Sequence, residues 1–518
     1  MYRVIKGIKK VMFHRVAYLL VAFLLQIALI IGVLLGFQAY FVVFYGFSIL
    51  LSIAVVIWVI NKNIHPEYKL VWVIPILLFP IFGGLFYLMM AQNRISRNAR
   101  RKMGHLMEKS GEVLPKNMEI PKKMDETNRD AANQIRYIND FGLYPPYKKT
   151  QTYYLETGER KFEKLIEKLH EAEKFIFLEY FIIAEGKLWN KILDILKQKV
   201  KEGVDVRVIY DDVGCMLTLP KNYHLTLEAM GIKTCVFNPV IPVLSSLHNN
   251  RDHRKIAVID GKVAFTGGIN IGDEYINVYE KHGHWKDSSV MIQGEGVWSF
   301  TVMFLSLWDY LRDEVEGFLP FKNKYSKEEL QKLEKEPGVV QPFFDSPLDG
   351  ETVGENVYLN LITKAKKTIC ITTPYLILDH GMLTAITSAA KSGVDVRIIT
   401  PHIPDKWYVH KVTRSYYGML INSGVKIYEY TPGFIHSKTF IVDDEYGVVG
   451  TINMDYRSLY LHFECGVWMH EASSLEAMKA DFFETLGKCH QVEFREVSGA
   501  SWPRVLGRSV LRLFSPWM

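Results

Sequence analysis

Two stretches of eight residues share one pattern: His253–Asp260 reads HRKIAVID, and His436–Asp443 reads HSKTFIVD. Each is H-x-K-x4-D, and the second begins 183 residues after the first. The residues between Lys and Asp are largely apolar, which predicts that each motif lies on a buried strand. His and Lys, two apart, would then project from the same face of the sheet. Gly267-Gly268-Ile269-Asn270 follows the first motif, and Gly450-Thr451-Ile452-Asn453 follows the second at the same distance.

The surroundings repeat as well. GVDVRVI begins at Gly203 and GVDVRII at Gly393, 190 residues later. Before the first copy, Phe162, Leu165, Ile166 and Leu169 have helical spacing, and Phe175–Ile183 is a β-branched and aromatic run. Another helical pattern leads to a strand over Val204–Tyr210. The later copy has a strand over Thr368–Thr373, a helix over Met382–Lys391 and a strand over Val394–Thr400. The pattern is therefore a duplicated α/β unit with alternating helix and strand.

The residue types in the motif suit phosphoryl chemistry. An imidazole serves as nucleophile, acid or base near neutral pH. A lysine beside it supplies fixed positive charge for a phosphate. The asparagines, Asn270 and Asn453, have amide N–H groups for phosphate oxygens. Two copies facing each other would place two histidines on opposite sides of one phosphorus. Histidines His248, His253, His282 and His284 show no metal-binding spacing, so neither metal nor cofactor is expected.

Composition bounds the class. The chain has 518 residues, 13% aromatic and 23% charged, which excludes a disordered protein. A net charge of +6 suits an anionic partner without choosing between membrane and nucleic acid. Five scattered cysteines read as buried free thiols. The Asp211-Asp212 pair reads as a solvated strand end. Tyr180 and Tyr375 follow equivalent strands, where cleft lining and core packing are equally good accounts.

The first ninety residues are mostly apolar. Val16–Gly36, Ala39–Ile60 and Leu70–Met90 each approach the length of a bilayer span. No cleavage site follows the first, so a signal peptide is not expected. Basic clusters flank the segment at Arg3–Arg15 and Arg94–Lys102, and both ask for the cytoplasmic side. Three full spans would put them on opposite sides. Either one segment is re-entrant or interfacial, or one cluster rests on anionic headgroups outside. At the other end, Arg504, Arg508 and Arg512 share one helical face, with Trp502, Val505, Leu506, Leu513, Phe514 and Trp517 mostly elsewhere. That pattern is an interfacial amphipathic helix, with docking on the catalytic domain as the alternative.

The paired motifs resemble the HKD motifs of the phospholipase D superfamily. NNRDHRKIAVIDG, GGINIGDEY and HWKD resemble the first half of bacterial cardiolipin synthases; GVKIYEY, GFIHSK, VVGTINMDYRS and HFE resemble the second. PILLFPIFGGLFYLMM resembles the N-terminal membrane segment of that family. The resemblance implies two phospholipase D-like halves, each a mixed sheet flanked by helices, facing each other across a pseudo-twofold active site behind N-terminal transmembrane helices. The expected parts are a membrane anchor (1–92), a basic connector (93–150), the two halves (151–345 and 346–499) and an amphipathic tail (500–518).

By the same resemblance the catalytic set is His253, Lys255, Asp260, His436, Lys438 and Asp443. His253 would be the nucleophile, and His436 the acid and then the base. Lys255, Lys438, Asn270 and Asn453 would hold phosphate oxygens. Asp287 and Glu464 would orient the histidines, in a pairing left open, while Asp260 and Asp443 would brace the strand and loop structure. The implied activity is transfer of a phosphatidyl group between two phosphatidylglycerol molecules at an anionic cell membrane, with no nucleic acid partner. Water, another alcohol, or CDP-diacylglycerol as donor are the nearest alternatives. A nuclease is disfavoured by the anchor, and a dead scaffold by two intact motifs.

Overall fold

In the computed structural model the described residues are 41–62, 64–79, 83–90, 97–114, 116–240, 249–312, 317–499 and 502–518, with isolated positions before residue 41. They form two units, residues 1–97 with 238–250, and residues 98–237 with 251–518.

In the first unit, three helices pack together: Phe41–Ile60, Pro66–Leu78 and Gly83–Met90. Val55, Val59, Ile76 and Tyr87 form their shared core. Trp58 and Trp72 both meet the Tyr87 ring edge-on. Among the described residues no helix is long and apolar enough to cross a membrane. Phe41–Ile60 carries no charge, but its first four side chains fall outside the described set. Most of the expected span Val16–Gly36 lies outside the described residues. The expected span Leu70–Met90 is not one helix. The chain, with Pro75 inside the first helix, leaves helical geometry at Phe79, and Pro80 follows. A side chain at Gly83 would collide with the backbone of Ile76, so only glycine lets the second helix begin so close.

The second unit holds the duplication. In the first half the strands are β1 (Thr150–Leu155), β2 (Phe175–Tyr180), β3 (Asp205–Asp211), β4 (Lys233–Phe237), β5 (Lys255–Ile259), β6 (Val263–Gly267), β7 (His284–Lys286) and β8 (Ser289–Gly294). In the second they are β9 (Val339–Asp345), β10 (Thr368–Thr372), β11 (Asp395–Pro401), β12 (Lys426–Tyr430), β13 (Gly433–Ile435), β14 (Thr439–Val442), β15 (Tyr446–Gly450), β16 (Glu464–His470) and β17 (Cys489–Gln491). The first sheet runs β1-β8-β6-β5-β2-β3-β4 and the second β9-β16-β15-β14-β10-β11-β12-β17. Seven positions correspond one to one, and β17 is an added edge. β2, β3 and β4 pair in parallel, as do β10, β11 and β12. The other neighbours in both sheets are antiparallel.

The strands joined by helices are buried along most of their length because both their faces are covered. Trp189, Ile192 and Leu196 of the helix Lys187–Lys201 pack with Leu165, Leu169, Ile176 and Leu178. Phe177 stacks on Phe304, 4.5 Å between ring centres, and Tyr358 on Phe440 at 4.0 Å. The two sheets meet through β6 and β8 against β15 and β16. There the Thr266 hydroxyl lies 3.3 Å from the Cys465 sulfur. A small parallel ribbon, β7 with β13, ties the halves together again.

The stretch 93–150 is more than a polar connector. It holds the helices Arg97–Val113 and Arg129–Asp140, and residues 98–150 belong to the second unit. Lys109 pairs with Asp309 at 3.2 Å, and Trp298 donates to the Val113 carbonyl at 2.9 Å. Cys215, Cys235, Cys370 and Cys465 are buried free thiols; Cys489, on the edge strand, is only half-buried.

Candidate active site

The strands bearing the motifs begin just after the histidines. β5 starts at Lys255 and β14 at Thr439, so His253 and His436 occupy extended lead-ins rather than the strands expected for them. The reason is pairing with the other half. The His253 N–H donates to the Phe463 carbonyl at 3.0 Å, and Phe463 N–H to the Arg251 carbonyl at 2.9 Å. The His436 N–H donates to the Lys286 carbonyl at 2.7 Å, continuing the β7–β13 ribbon. Each lead-in thus lies beside the segment that delivers a carboxylate from the opposite half.

Those carboxylates settle the pairing that the sequence left open. His253 Nδ1 lies 2.9 Å from Glu464 Oε1 and 3.1 Å from Oε2. His436 Nδ1 lies 2.7 Å from Asp287 Oδ2. With Nδ1 protonated and held by a carboxylate, each ring leaves Nε2 as its reactive nitrogen. The two braces differ in reach. A side chain at Gly268 would collide with Asp287 and crowd the His436 carbonyl, so glycine is required there. At the matching position of the second half, the Thr451 hydroxyl donates to Glu464 Oε2 at 2.5 Å.

The first lead-in is anchored by buried arginines. Arg251 clasps Asp211 through Nε and Nη2 at 2.8–3.0 Å. Arg254 lies 2.8 Å from Glu179 and 2.9 Å from Asp252. This corrects the reading of Asp211-Asp212 as a solvated strand end. Both are buried, and Asp211 also accepts from the N–H groups of Val213 and Gly214.

Both motif lysines are buried. Lys255 Nζ donates to the His253 carbonyl at 2.5 Å, and Lys438 Nζ donates to the His436 carbonyl. Burial pulls the Lys255 ammonium down to about 8 and that of Lys438 to about 7. Burial, then the charges of Lys255 and Lys438, push His253 well below the ordinary imidazole range. Burial and Lys438 lower His436 to about 4, against the pull of Asp287. The pocket is thus a buried concentration of positive charge that is relieved when an anion enters.

The remaining expected residues fall into place unevenly. Asn270 accepts the Ile182 N–H at 3.0 Å through Oδ1, and its amide nitrogen lies 3.5 Å from the Tyr275 hydroxyl. Asn453 is buried. Asp260 and Asp443 sit at the far ends of β5 and β14, away from the histidines. Asp260 accepts the N–H groups of Glu173, Lys174 and Phe175 at 2.7–2.9 Å. Asp443 accepts those of Lys366, Lys367 and Thr368 at 2.7–2.8 Å. Both have left-handed backbones, φ 53° and 55°. Tyr180 is core, its hydroxyl bonded to Lys161. Tyr375 donates to Asp405 at 2.5 Å, and Lys406 lies over its ring.

One site residue was not singled out in the sequence. His462 lies 5.5 Å from His253, ring centre to ring centre, with Nδ1 3.8 Å from Glu464 Oε1. Burial lowers it to about 3, so it is neutral. Its only signal was its position two residues before Glu464. Among the described residues, His253, His462 and Glu464 bring ligand atoms within 4.8 Å of one another. The two ammonium groups beside them make this pocket better suited to an anion than to a cation.

Comparison with known proteins agrees with this geometry. The family described as "Cardiolipin synthase, PLD-like domain" matches residues 165–291 and 358–486. "Phospholipase_D-nuclease N-terminal" matches residues 50–91. A cardiolipin synthase of Halalkalibacterium halodurans is 36% identical over 91% of this chain and 93% of its own length. An uncharacterised protein of Streptococcus mutans is 46% identical over 84% of this chain and 94% of its own. The crystal structure of phosphatidylserine synthase from Haemophilus influenzae shares the fold, with TM-score 0.57 and 17% identity, over 74% of this chain and all of that one. The duplicated fold and its family place the protein among the phospholipid phosphatidyltransferases of the phospholipase D superfamily. Within that superfamily, the chain belongs to the bacterial cardiolipin synthase family.

Proposed function

We propose that the enzyme transfers a phosphatidyl group from one phosphatidylglycerol to another, releasing glycerol, through a phosphohistidine. The observation that carries this reading is the cross-braced histidine pair, each Nδ1 held by a carboxylate of the opposite half. In the first step His253 Nε2 attacks phosphorus and the bond to the glycerol oxygen breaks. His436 Nε2 gives its proton to that oxygen. In the second step His436 takes the proton of an acceptor hydroxyl as its oxygen attacks phosphorus, and the P–N bond breaks. Lys255, Lys438, Asn270 and Asn453 hold the phosphate oxygens and offset charge developing on them.

Two features support this order of roles. Burial and the neighbouring lysines hold the proton affinity of His253 well below the ordinary imidazole range, so it is available as a neutral nucleophile. The bond between His436 and Asp287, at 2.7 Å, favours the imidazolium that an acid must carry. Burial still holds His436 at about 4 in the free enzyme, so its protonation depends on the negative charge that the bound phosphodiester adds. The apolar N-terminal segment is read as a membrane anchor that keeps the site at the lipid surface. Deleting residues 1–92 is expected to weaken membrane attachment while leaving the catalytic unit folded.

The test is purified protein in detergent with one defined lipid at a time. Phosphatidylglycerol alone should give cardiolipin and free glycerol, about one to one by the stoichiometry of the exchange. Phosphatidic acid as sole product would make the enzyme a hydrolase. Cardiolipin formed only with added CDP-diacylglycerol would overturn the donor.

A further inference from the structure

The C-terminal helix, Trp502–Leu513, is docked the wrong way round for water. It packs on the helix Trp407–Asn422. The contact is made from its basic side: the Arg512 guanidinium lies 4.5 Å over the Tyr416 ring, and Arg508 is also half-buried. Trp502, Leu506 and Val510, spaced four apart on one stripe, face outward and are 76%, 55% and 51% exposed. Phe514 continues the stripe and is exposed too.

A helix in water hides its apolar face and shows its charged one. Here the arrangement is inverted, so the outward stripe is suited to a phase other than water. Three features identify that phase. Residues 500–518 contain three arginines and no acidic residue, and the helix beneath carries Lys411 and Arg414 without an acidic residue. Tryptophans stand at both ends of the segment, Trp502 and Trp517, the residue preferred at headgroup level. Trp407, which opens the supporting helix, is 61% exposed with Lys411 4.7 Å over its ring.

The segment is also clamped to the site. Arg457 Nε donates to the Trp517 carbonyl at 2.9 Å, and Arg457 N–H to the Met518 carbonyl at 3.3 Å. Arg457 belongs to the short helix Tyr456–Tyr460, which leads directly to His462 and Glu464.

We propose that Trp502, Leu506 and Val510 insert into the surface of an anionic bilayer, making the C-terminal helix a second lipid contact that fixes the catalytic unit against its substrate layer. Basic side chains along its edges would meet the headgroups, and the stripe would lie at the acyl boundary. The purpose of this contact rests on the reading of a lipid substrate, but its existence does not.

The test uses the full chain in vesicles of phosphatidylcholine and phosphatidylglycerol. An environment-sensitive fluorophore is attached at Leu506→Cys, or as control at Lys391→Cys, an exposed position on another helix. Cys489→Ser removes the one native thiol that is not buried. A nitroxide set shallow on the acyl chain should quench the 506 label at least about twofold more than the 391 label, and aqueous iodide should do the reverse. Replacing phosphatidylglycerol by phosphatidylcholine should reduce the lipid quenching. Equal quenching at both positions would overturn the proposal. So would a 506 label shielded from both quenchers, or a disulfide between two chains through position 506; both would assign the stripe to protein. Quenching requires no turnover, so a failure here is separable from failure to make cardiolipin in the same vesicles.

Discussion

His253 and Glu464 stand 211 residues apart in the chain and 2.9 Å apart across the site. The reciprocal pair, His436 and Asp287, is 149 residues apart and 2.7 Å across. Both bonds cross the boundary between halves. Replacing Glu464 by Gln or Asp287 by Asn keeps size but removes the charge that fixes the tautomer. Each is expected to lower kcat by roughly 10²–10⁴ with little change in KM. Wild-type rates in both variants would show that the carboxylates are only packing.

The phosphohistidine is open to direct capture. A labelled donor quenched in alkali should leave a phosphoryl adduct that survives base, is lost in acid, and maps to His253 by peptide mass. His253→Ala should abolish both adduct and turnover. An adduct on His436 instead would exchange the two roles.

The lysines set the alkaline limb of the pH profile. An amine with a lowered pKa is charged only below that value, and transfer requires the charge. With Lys438 at about 7 and Lys255 at about 8, and His436 protonated beside the bound phosphodiester, kcat at saturating lipid should fall as pH rises through that window, as one coupled step. His253 must be neutral, and its pKa lies well below the ordinary range, so acid loss should begin only well under about pH 6. Lys438→Arg, which stays charged, should move the alkaline limb upward. A profile flat from about pH 6 to 9 would contradict this assignment.

Asp260 and Asp443 predict a different phenotype. Each gathers three backbone N–H groups at the foot of its strand. Asp260→Ala or Asp443→Ala should cost roughly 2–5 kcal/mol of stability, from lost charge-assisted bonds and a left-handed backbone that alanine resists. Denaturant midpoints should drop, while kcat per folded molecule changes far less than in the histidine variants. An inactive but fully stable variant would return these aspartates to the chemistry.

Chelation supplies a further test. The lysines stand where a divalent cation would offset phosphate charge, so exhaustive treatment with a chelator should leave the rate within about twofold. Complete loss, restored by magnesium or zinc, would show that the charge has been misassigned.

The duplication was legible because both copies kept GVDVR at the head of a core strand and H-x-K-x4-D at nearly the same shift. The strand order of either half follows from the other. What stayed hidden depends on contacts distant in sequence. A DD pair after a strand reads as solvated until Arg251, forty residues on, supplies the counter-charge. Leu70–Met90 has the apolar length of one helix, and its break lies in Phe79, Pro80 and the close seat of Gly83. The tail's spacing showed two faces but not which one the domain would cover. His462 was one ordinary histidine until β16 carried it to the edge of His253.

The exchange of carboxylates between halves has a consequence for inheritance. A half that drifted alone would leave its neighbour's imidazole unsupported, so neither repeat is free to decay into a spare part. A substitution that only loosens the seam through β7 and β13 would first cost control of the proton, with both sheets still folded. Variation in such a protein should therefore collect on the outer helices, and the seam should change only by paired steps, one on each side.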